Sequence, residues 1–337
     1  MGNILASPRR QDPLLPGTWK NLFYPPERDE YAYFRRAREL PFAAGSTYVK
    51  AAWAADAAML AYGRFGKSPM PPPDFEACLK NGAGFTSVQR IGNWSKRGTQ
   101  GYLASSGQFA MLAFRGTEAD DPLDSLADLD IRLADEHDFR PASGEAQLAL
   151  RHLALVEELV EPRCQVHSGF QRALNEVWEE VHGRVSDFRN SHAEAEICFT
   201  GHSLGAALAT LAFSRFDDPR MSLYTFGSPR VGNQAFGARI PASEHRVFRF
   251  VNLNDPVTHV PVADGQYQHA PQRCIRIDES GNLVEDDGSF RGDVNALKVA
   301  LAGLPGAGII FFPNGQAPEG VVDHSPGRYC VRLWNCV

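Results

Sequence analysis

Hydrophobic and polar residues follow two different periods in the first half of the chain, and these periods predict its elements. From Thr47 to Tyr62, large apolar residues recur at helical spacing among alanines, which predicts a packing helix. Between residues 85 and 114, three short apolar stretches predict strands, and the Ser105-Ser106-Gly107 sequence between the last two indicates a tight hairpin. The stretch from Phe109 to Phe114 is apolar at every position, as expected of a buried central strand.

Strands and helices alternate through the second half of the chain. Apolar strands are predicted at 196–200, 221–226 and 246–251, and a helix of small residues follows the first of them. This alternation is typical of a mainly parallel sheet flanked by helices, so we predict an α/β fold. Further elements are predicted as a hairpin at the sheet edge over 274–284 and as helical segments over 145–160 and 293–312.

Residues 1–45 differ in composition from the rest of the chain. They are rich in proline, arginine and aromatic residues. This composition predicts an extension that packs on the surface of the domain rather than a separate fold. Residues 46–337 are then expected to form one α/β domain, and no internal repeat divides them.

Composition and charge limit the classes of function. Of the 337 residues, 43% are hydrophobic and 22% are charged, as in an ordinary globular protein with a sizeable core. A net charge of −6 without a basic stripe argues against nucleic-acid binding. The sequence contains no run of about 18 apolar residues, so it predicts no transmembrane segment. The sequence has no Cys-x-x-Cys motif and no His/Cys cluster, so we expect no metal and no cofactor. The oligomeric state stays open.

The first residues give an expectation for localisation. They contain no apolar run of about 7–15 residues followed by a cleavage site. We therefore predict no cleavable signal peptide, and a location either in the cytoplasm or outside the cell by a non-Sec route. Without such a signal, the six cysteines are expected to be reduced and mostly buried.

A candidate nucleophile lies between the strand at 196–200 and the helix after it. Gly201-His-Ser203-Leu-Gly205 has the G-x-S-x-G pattern of a sharp strand-to-helix turn, which holds a serine hydroxyl clear of the sheet. The glycines let strand and helix pass closely, and the first helical amides point to where an oxyanion would form. We predict that Ser203 is the nucleophile. Its neighbour His202 is expected to be a packed, hydrogen-bonded histidine rather than the base.

A serine nucleophile needs a histidine base and a carboxylate that orients the histidine. In this architecture the chain order is serine, acid, histidine. Asp255 follows a predicted strand, and the carboxyl ends of parallel strands form the edge where function collects. Asp255 is therefore preferred as the acid to Asp217 and Asp218, which lie at a helix end before a turn.

Four histidines follow Ser203, and chain order separates them. His245 precedes Asp255 and so breaks the order. His259 and His269 follow the acid closely and are expected to share its loop, whereas His324 comes after the sheet has had room to finish. We predict His324 as the base, with His269 as the alternative, and His259 as a loop histidine that packs locally.

The end of the central strand supplies a second candidate for oxyanion binding. Gly116-Thr117 follows the strand at 109–114, where this architecture places its other oxyanion-hole amide. The acidic, leucine-containing segment 120–138 comes next and contains no calcium-loop pattern. The default interpretation of this segment is a solvated charge run, although its leucines recur too regularly for a purely exposed loop.

Several motifs together resemble the class 3, or filamentous-fungal-type, lipases. The similarity extends from about residue 46 to the end of the chain, although Ala206 replaces a glycine that is frequent after the turn. Residues 1–45 and most of the stretch between Asp255 and His324 match no part of the family pattern. The motifs are Ala113-Phe-Arg-Gly-Thr, His167-Ser-Gly-Phe, Thr200-Gly-His-Ser-Leu-Gly-Ala-Ala-Leu-Ala, Tyr224-Thr-Phe-Gly-Ser-Pro-Arg-Val-Gly-Asn, Asn254-Asp-Pro-Val and Asp323-His324.

The resemblance implies an α/β-hydrolase fold with lid or cap insertions and the hydrolysis of acyl esters, often triacylglycerols. It implies a triad of Ser203, Asp255 and His324 and an oxyanion hole formed by the amides of Thr117 and Leu204. We therefore expect a lipase whose partner is a lipid ester, met at a lipid–water interface. The segment 120–138 and the apolar run at 294–312 are then two candidates for a lid that opens on lipid, with ordinary packing elements as the alternative. A phospholipase or short-chain esterase is the alternative among enzymes, and a lipid-binding protein with a silent triad is the alternative outside them.

Overall fold

A computed structural model describes most of the chain. The candidate lid segment 120–138 lies outside the described residues except for its residues 133–136, and the helical segments predicted at 145–160 and 293–312 also lie outside them. The described residues are 3–17, 25–26, 30–35, 47–63, 72–95, 98–116, 133–136, 163–216, 218–240, 246–261, 266–271, 273–286 and 319–337.

The described elements follow the predicted alternation of strands and helices. The strands are β1 (Ile4–Ala6), β2 (Ser87–Ile91), β3 (Gly101–Ser106), β4 (Phe109–Phe114), β5 (Leu133–Asp135), β6 (Gln165–His167), β7 (Glu196–His202), β8 (Met221–Phe226), β9 (Val247–Asn252), β10 (Cys274–Ile277) and β11 (Leu283–Asp286). The helices are α1 (Thr47–Leu60), α2 (Pro72–Ala77), α3 (Ser168–Asn175), α4 (Trp178–Ser191), α5 (Leu204–Ser214), α6 (Gln234–Arg239), α7 (Glu319–Asp323) and α8 (Pro326–Asn335).

The main sheet is mostly parallel. Its strand order within the described residues is β1-β11-β10-β9-β8-β7-β4-β3-β2. From β4 through β7, β8 and β9 to β10, each strand runs parallel to its neighbour, whereas β2, β3, β11 and β1 pair antiparallel. The parallel core of the sheet is therefore confirmed. Because β4, β7, β8 and β9 share one direction, their carboxyl ends meet at one edge of the sheet.

Helices cover both faces of this sheet. Successive residues of β7 point to opposite faces, so Phe199 packs in the core that includes α3, α4 and α5, whereas Cys198 packs in the core that includes Trp53 of α1 and Trp334 of α8. The six cysteines all lie within the described residues, as free thiols, and five of them are buried. No helix in the described ranges has both the length and the apolar character that a membrane crossing requires.

The outermost strand on one side of the sheet differs from the prediction. The hairpin formed by β10 and β11 was expected at the edge, but β1 pairs with β11 and lies outside it. The exposed amides and carbonyls of an edge strand are a ready template for one more strand, and Ile4–Ala6 supplies it. Part of the proline-rich N-terminal stretch is thus built into the sheet. The boundary between an extension and a domain near residue 45 stays a prediction.

Candidate active site

Ser203 occupies the turn between β7 and α5. Its backbone has φ 60° and ψ −130°, a conformation that residues with a side chain rarely adopt. A β-carbon on Gly201 would lie far inside van der Waals distance of Gly205, and one on Gly205 would overlap the Phe114 carbonyl. The two glycines therefore allow β4, β7 and α5 to converge at the serine, as the G-x-S-x-G pattern predicts.

Leu204 is the first residue of α5, directly after the serine. Its amide belongs to the first helical turn, where no preceding carbonyl of the helix can accept it. The amides of Ala206 and Ala207, one turn further on, donate to the Ser203 carbonyl. The Ser203 amide donates to the Phe226 carbonyl at the end of β8 over 3.0 Å. The Leu204 amide thus lies beside the serine at the positive end of the helix dipole, where it can stabilise developing negative charge.

Thr117 itself lies outside the described residues. The residue before it, Gly116, continues from the end of β4, and a β-carbon there would lie 2.8 Å from the carbonyl oxygen of His202. The exit of β4 therefore packs directly against the serine turn. An assignment of the Thr117 amide to the oxyanion hole remains a proposal.

Asp255 lies just beyond β9 and is completely buried, with 0% of its surface exposed. Its carboxylate accepts hydrogen bonds from three groups. The Val257 amide donates to Oδ1 over 3.0 Å, and the Tyr329 hydroxyl donates to Oδ2 over 2.6 Å. The His324 Nδ1 lies 2.9 Å from Oδ1 and 2.8 Å from Oδ2. These donors compensate a buried carboxylate for the loss of water.

His324 lies between the last two helices, α7 and α8. Because carboxylate oxygens accept hydrogen bonds, Nδ1 carries the hydrogen that points to Asp255, and in the neutral ring Nε2 keeps a lone pair. The main chain at this residue is also held, since its amide donates to Gly320 over 3.2 Å and its carbonyl oxygen lies 2.6 Å from Nε2 of His202. The His324 ring lies 4.4 Å from the ring of His202, the neighbour of Ser203. Ser203, His324 and Asp255 thus lie near one another at the carboxyl ends of the parallel strands, an arrangement that could serve as nucleophile, base and orienting carboxylate.

The other acids and histidines considered from the sequence lie elsewhere. Asp218 precedes β8, at the opposite edge of the sheet from Ser203, and forms an ion pair of 2.7 Å with Arg189. The imidazole that contacts Asp255 is that of His324, whereas His269 is half-buried and hydrogen-bonds to the Thr258 backbone. Burial, assisted by nearby arginines, lowers the pKa of His269 well below its ordinary value. Asp217 and His245 lie outside the described residues.

Sequence reasoning did not identify two residues that shape the site. Tyr329 reaches Asp255 from α8, and its position five residues after His324 gives no local sign of this contact. Gly227 follows β8, and a β-carbon there would lie 2.6 Å from Oδ2 of Asp255 and 2.9 Å from Nδ1 of His324. The signal for Gly227 was present, because it ends a strand that neighbours the serine strand and opens a Gly-Ser-Pro-Arg sequence.

The parallel sheet, the serine turn at its carboxyl ends and the flanking helices form an α/β-hydrolase fold, and solved structures of fungal lipases share this fold. Lipase II from Rhizopus niveus aligns with a TM-score of 0.54 and 22% identity over 75% of this chain and 91% of its own. The LIP2 lipase from Yarrowia lipolytica aligns with a TM-score of 0.56 and 21% identity, over 74% of this chain and 88% of its own. At these identities the likeness concerns the fold alone.

Within this fold, residues 111–265 match the model of the family described as lipase (class 3). The chain is 37% identical over 108 residues to secreted mono- and diacylglycerol lipase 1 of Fusarium solani, which is 32% of each chain. It is 32% identical over 147 residues to secreted mono- and diacylglycerol lipase A of Penicillium cyclopium, covering 42% of this chain and 48% of the relative. The resemblance to class 3 lipases is confirmed, and the matches span only 32% and 48% of the length of these two relatives.

The localisation expected from the first residues is wrong. The relatives from Fusarium solani and Penicillium cyclopium are both named as secreted lipases, which points to export rather than to the cytoplasm. The expectation was based only on the hydrophobicity of a few N-terminal residues. Those residues include the strand β1, so their composition reflects pairing in the sheet as well as any role in targeting.

Proposed function

We propose that the protein is a carboxylic-ester hydrolase that acts on acyl lipids through Ser203, His324 and Asp255. The observation that carries this proposal is the buried contact between Asp255 and His324, next to the strained serine turn at the carboxyl edge of the sheet. The match of residues 111–265 to the class 3 lipases supports it.

The first half of the proposed reaction forms an acyl-enzyme. The Ser203 hydroxyl oxygen attacks the ester carbonyl carbon while Nε2 of His324 accepts the hydroxyl proton. Asp255 stabilises the resulting imidazolium, and the amides of Leu204 and Thr117 bind the oxyanion. The tetrahedral adduct then collapses, and the ester C–O bond breaks. The departing alkoxide takes the proton from His324, so an alcohol leaves and the acyl group stays on Ser203.

The second half returns the enzyme to its starting state. A water molecule attacks the acyl carbonyl while Nε2 of His324 accepts one of its protons. Collapse of the second adduct breaks the bond to the Ser203 oxygen, which recovers its proton from His324. The products of the complete cycle are one alcohol and one carboxylic acid for each ester and water consumed.

The proposed substrates are acylglycerols met at a lipid–water interface. The support is the naming of the relatives from Fusarium solani and Penicillium cyclopium as mono- and diacylglycerol lipases. A panel of tributyrin, long-chain di- and triacylglycerols, phosphatidylcholine and 4-nitrophenyl butyrate tests this choice. Preference for phosphatidylcholine would indicate a phospholipase, and activity restricted to 4-nitrophenyl butyrate would indicate a short-chain esterase.

Replacement of the nucleophile tests the reaction itself. In Ser203→Ala, kcat for tributyrin is expected to fall by about 10⁶, because the variant cannot form the acyl-enzyme. A fluorophosphonate probe should phosphonylate the Ser203 oxygen of the wild type with loss of fluoride, and it should leave the variant unlabelled. Ser222→Ala on β8 is the matched control, since this serine is also buried but bonds to Glu196. Substantial turnover in Ser203→Ala, or a wild type that binds lipid without being labelled, would contradict the proposal.

A further inference from the structure

His202 contacts His324 through the backbone of the latter. The carbonyl oxygen of His324 lies 2.6 Å from Nε2 of His202, and the hydroxyl oxygen of Tyr62 lies 2.8 Å from Nδ1. A carbonyl oxygen only accepts, so Nε2 carries the hydrogen of this contact. Nδ1 of the neutral ring is then an acceptor, and the Tyr62 hydroxyl is its donor. The geometry defines one tautomer and one direction for both hydrogen bonds.

The surroundings keep these groups in their neutral forms. His202 is buried, and this burial lowers the pKa of the ring well below its ordinary value, with a further contribution from the neighbouring His324. Burial also raises the pKa of the Tyr62 hydroxyl, so it remains protonated and able to donate. The pair consequently holds the same hydrogen-bonding pattern over the pH range in which His324 would work as a base.

Tyr62 and His202 also lie against the residue that follows β4. A β-carbon on Gly116 would overlap the Tyr62 hydroxyl and would lie 2.8 Å from the His202 carbonyl oxygen. Gly116 directly precedes Thr117, and His202 directly precedes Ser203. One tyrosine–histidine pair therefore contacts the strand exits that carry the nucleophile and the candidate oxyanion amide, together with the main chain of the candidate base.

We propose that Tyr62 and His202 are positioning residues for the ester hydrolysis described above, on which this inference rests. Tyr62 fixes the tautomer of His202, and the Nε2 hydrogen of His202 holds the carbonyl of His324 at a set distance from the serine turn. Asp255 restrains only the ring of His324 through Nδ1. Without the His202 contact, the main chain of His324 is held at its carbonyl no longer and keeps only the amide bond to Gly320, so Nε2 spends less time aligned with the serine hydroxyl.

Three variants of the full chain and one control variant test the proposal with 4-nitrophenyl butyrate. Tyr62→Phe removes the hydroxyl. His202→Met removes both ring nitrogens. His202→Gln has about the same side-chain length as His202→Met but can keep a donor near the position of Nε2. We expect kcat to fall roughly 10- to 100-fold in Tyr62→Phe and His202→Met, with KM within about twofold, because an aligning hydrogen bond is lost and substrate binding is not. His202→Gln should recover most of the loss.

The control is Tyr102→Phe. Tyr102 is likewise buried, and its hydroxyl donates to the Ala57 carbonyl over 2.8 Å, within α1 and away from the contacts of Tyr62 with His202. This variant should lower the melting temperature without a change in kcat. Wild-type kcat in folded Tyr62→Phe and His202→Met, or an equal loss in Tyr102→Phe, would overturn the proposal.

Nuclear magnetic resonance of the histidine ring nitrogens separates this proposal from the proposed function. In the wild type, His202 should show a protonated Nε2 and an unprotonated Nδ1, and Tyr62→Phe should alter this pattern and the signals of His324. A protonated Nδ1 on His202 of the wild type would overturn the positioning role whatever the activity. An inactive wild type that is not labelled at Ser203 would instead refute the proposed function, while the ring signals still report whether the contact exists.

Discussion

Gly227 follows β8 with a φ of 58°, and its α-carbon faces the contact between Asp255 and His324. Two physical requirements coincide at this residue. A positive φ strains any residue that has a β-carbon, and a β-carbon here would also lie 2.6 Å from Oδ2 of Asp255. The side chains cannot retreat easily, because Tyr329 and Val257 hold the carboxylate from other directions.

Substitution of Gly227 by alanine is expected to separate the acid from the base. We predict a loss of about 100-fold or more in kcat for Gly227→Ala, as expected when a catalytic group is displaced by about 1 Å, and a loss of stability of about 1–3 kcal/mol. Gly84→Ala is the matched control, because Gly84 has a φ of 78° but nothing within 4 Å of an added β-carbon. Gly84→Ala should lose stability but keep the kcat of the wild type. A fall in kcat of equal size in both variants would show that backbone strain lowers kcat, and wild-type kcat in both would show that the β-carbon does not disturb the Asp255–His324 contact.

At the scale of elements, the site depends on how closely α5 passes the ends of β4 and β7. Strand and helix backbones touch at Gly201 and Gly205 with no space for a β-carbon. The helix continues with alanine and leucine side chains that are buried against the sheet. The close approach brings the first amides of α5, including that of Leu204, to the exit of β4.

Gly205→Ala is predicted to push the first turn of α5 away from β4. An alanine β-carbon would overlap the Phe114 carbonyl and lie 2.9 Å from the Arg115 carbonyl carbon, so backbone rather than a flexible side chain has to shift. We expect a loss of stability of about 2–4 kcal/mol and a fall in kcat, measured by urea unfolding and ester hydrolysis. Gly183→Ala in α4 adds a β-carbon with nothing within 4 Å and should stabilise by about 0.5–1 kcal/mol. A neutral Gly205→Ala would mean that the contact is not tight in solution.

The elements differ in how far the sequence predicts them, and the reason is the range of the interactions. The serine turn is predictable, because a strand, two glycines and a helix lie next to one another in the chain. The parallel core is predictable from alternation, since mostly apolar strand segments are separated by helical segments along the chain. The strand β1 was not predictable, because three residues with no period of their own pair with β11 at the other end of the chain. The hydroxyl of Tyr329 reaches Asp255 in the same long-range manner.

At the scale of the whole molecule, one buried carboxylate joins the two ends of the chain to α1. Asp56 is completely buried in α1 and accepts hydrogen bonds from the Tyr31 hydroxyl over 2.8 Å and the Phe34 amide over 2.6 Å. It also accepts from Trp334 of α8 over 3.0 Å. The same helix α8 carries Tyr329, so this junction supports the part of the fold that holds Asp255.

The charge of Asp56 makes the stability of this junction depend on pH. Burial raises the pKa of the carboxyl from 3.8 to about 6, and the hydrogen bonds from Phe34, Tyr31 and Trp334 only partly oppose the shift. The folded state therefore binds a proton more tightly than the unfolded state. The stabilising contribution is fully present below about pH 4 and is lost as the pH rises through about 6, where the folded carboxyl also ionises.

Asp56→Asn is predicted to remove this pH dependence. The amide oxygen can still accept from Phe34 and Trp334 if the amide nitrogen faces Tyr31, whose hydroxyl can turn to accept. Urea unfolding between pH 4 and 8 should show the variant gaining roughly 2–3 kcal/mol relative to the wild type, with most of the gain between pH 4 and 6. Asp187→Asn, exposed on α4, controls for the loss of one charge. A difference between Asp56→Asn and the wild type that stays constant with pH would contradict the raised pKa, because a carboxyl with an ordinary pKa gives no gain in this range.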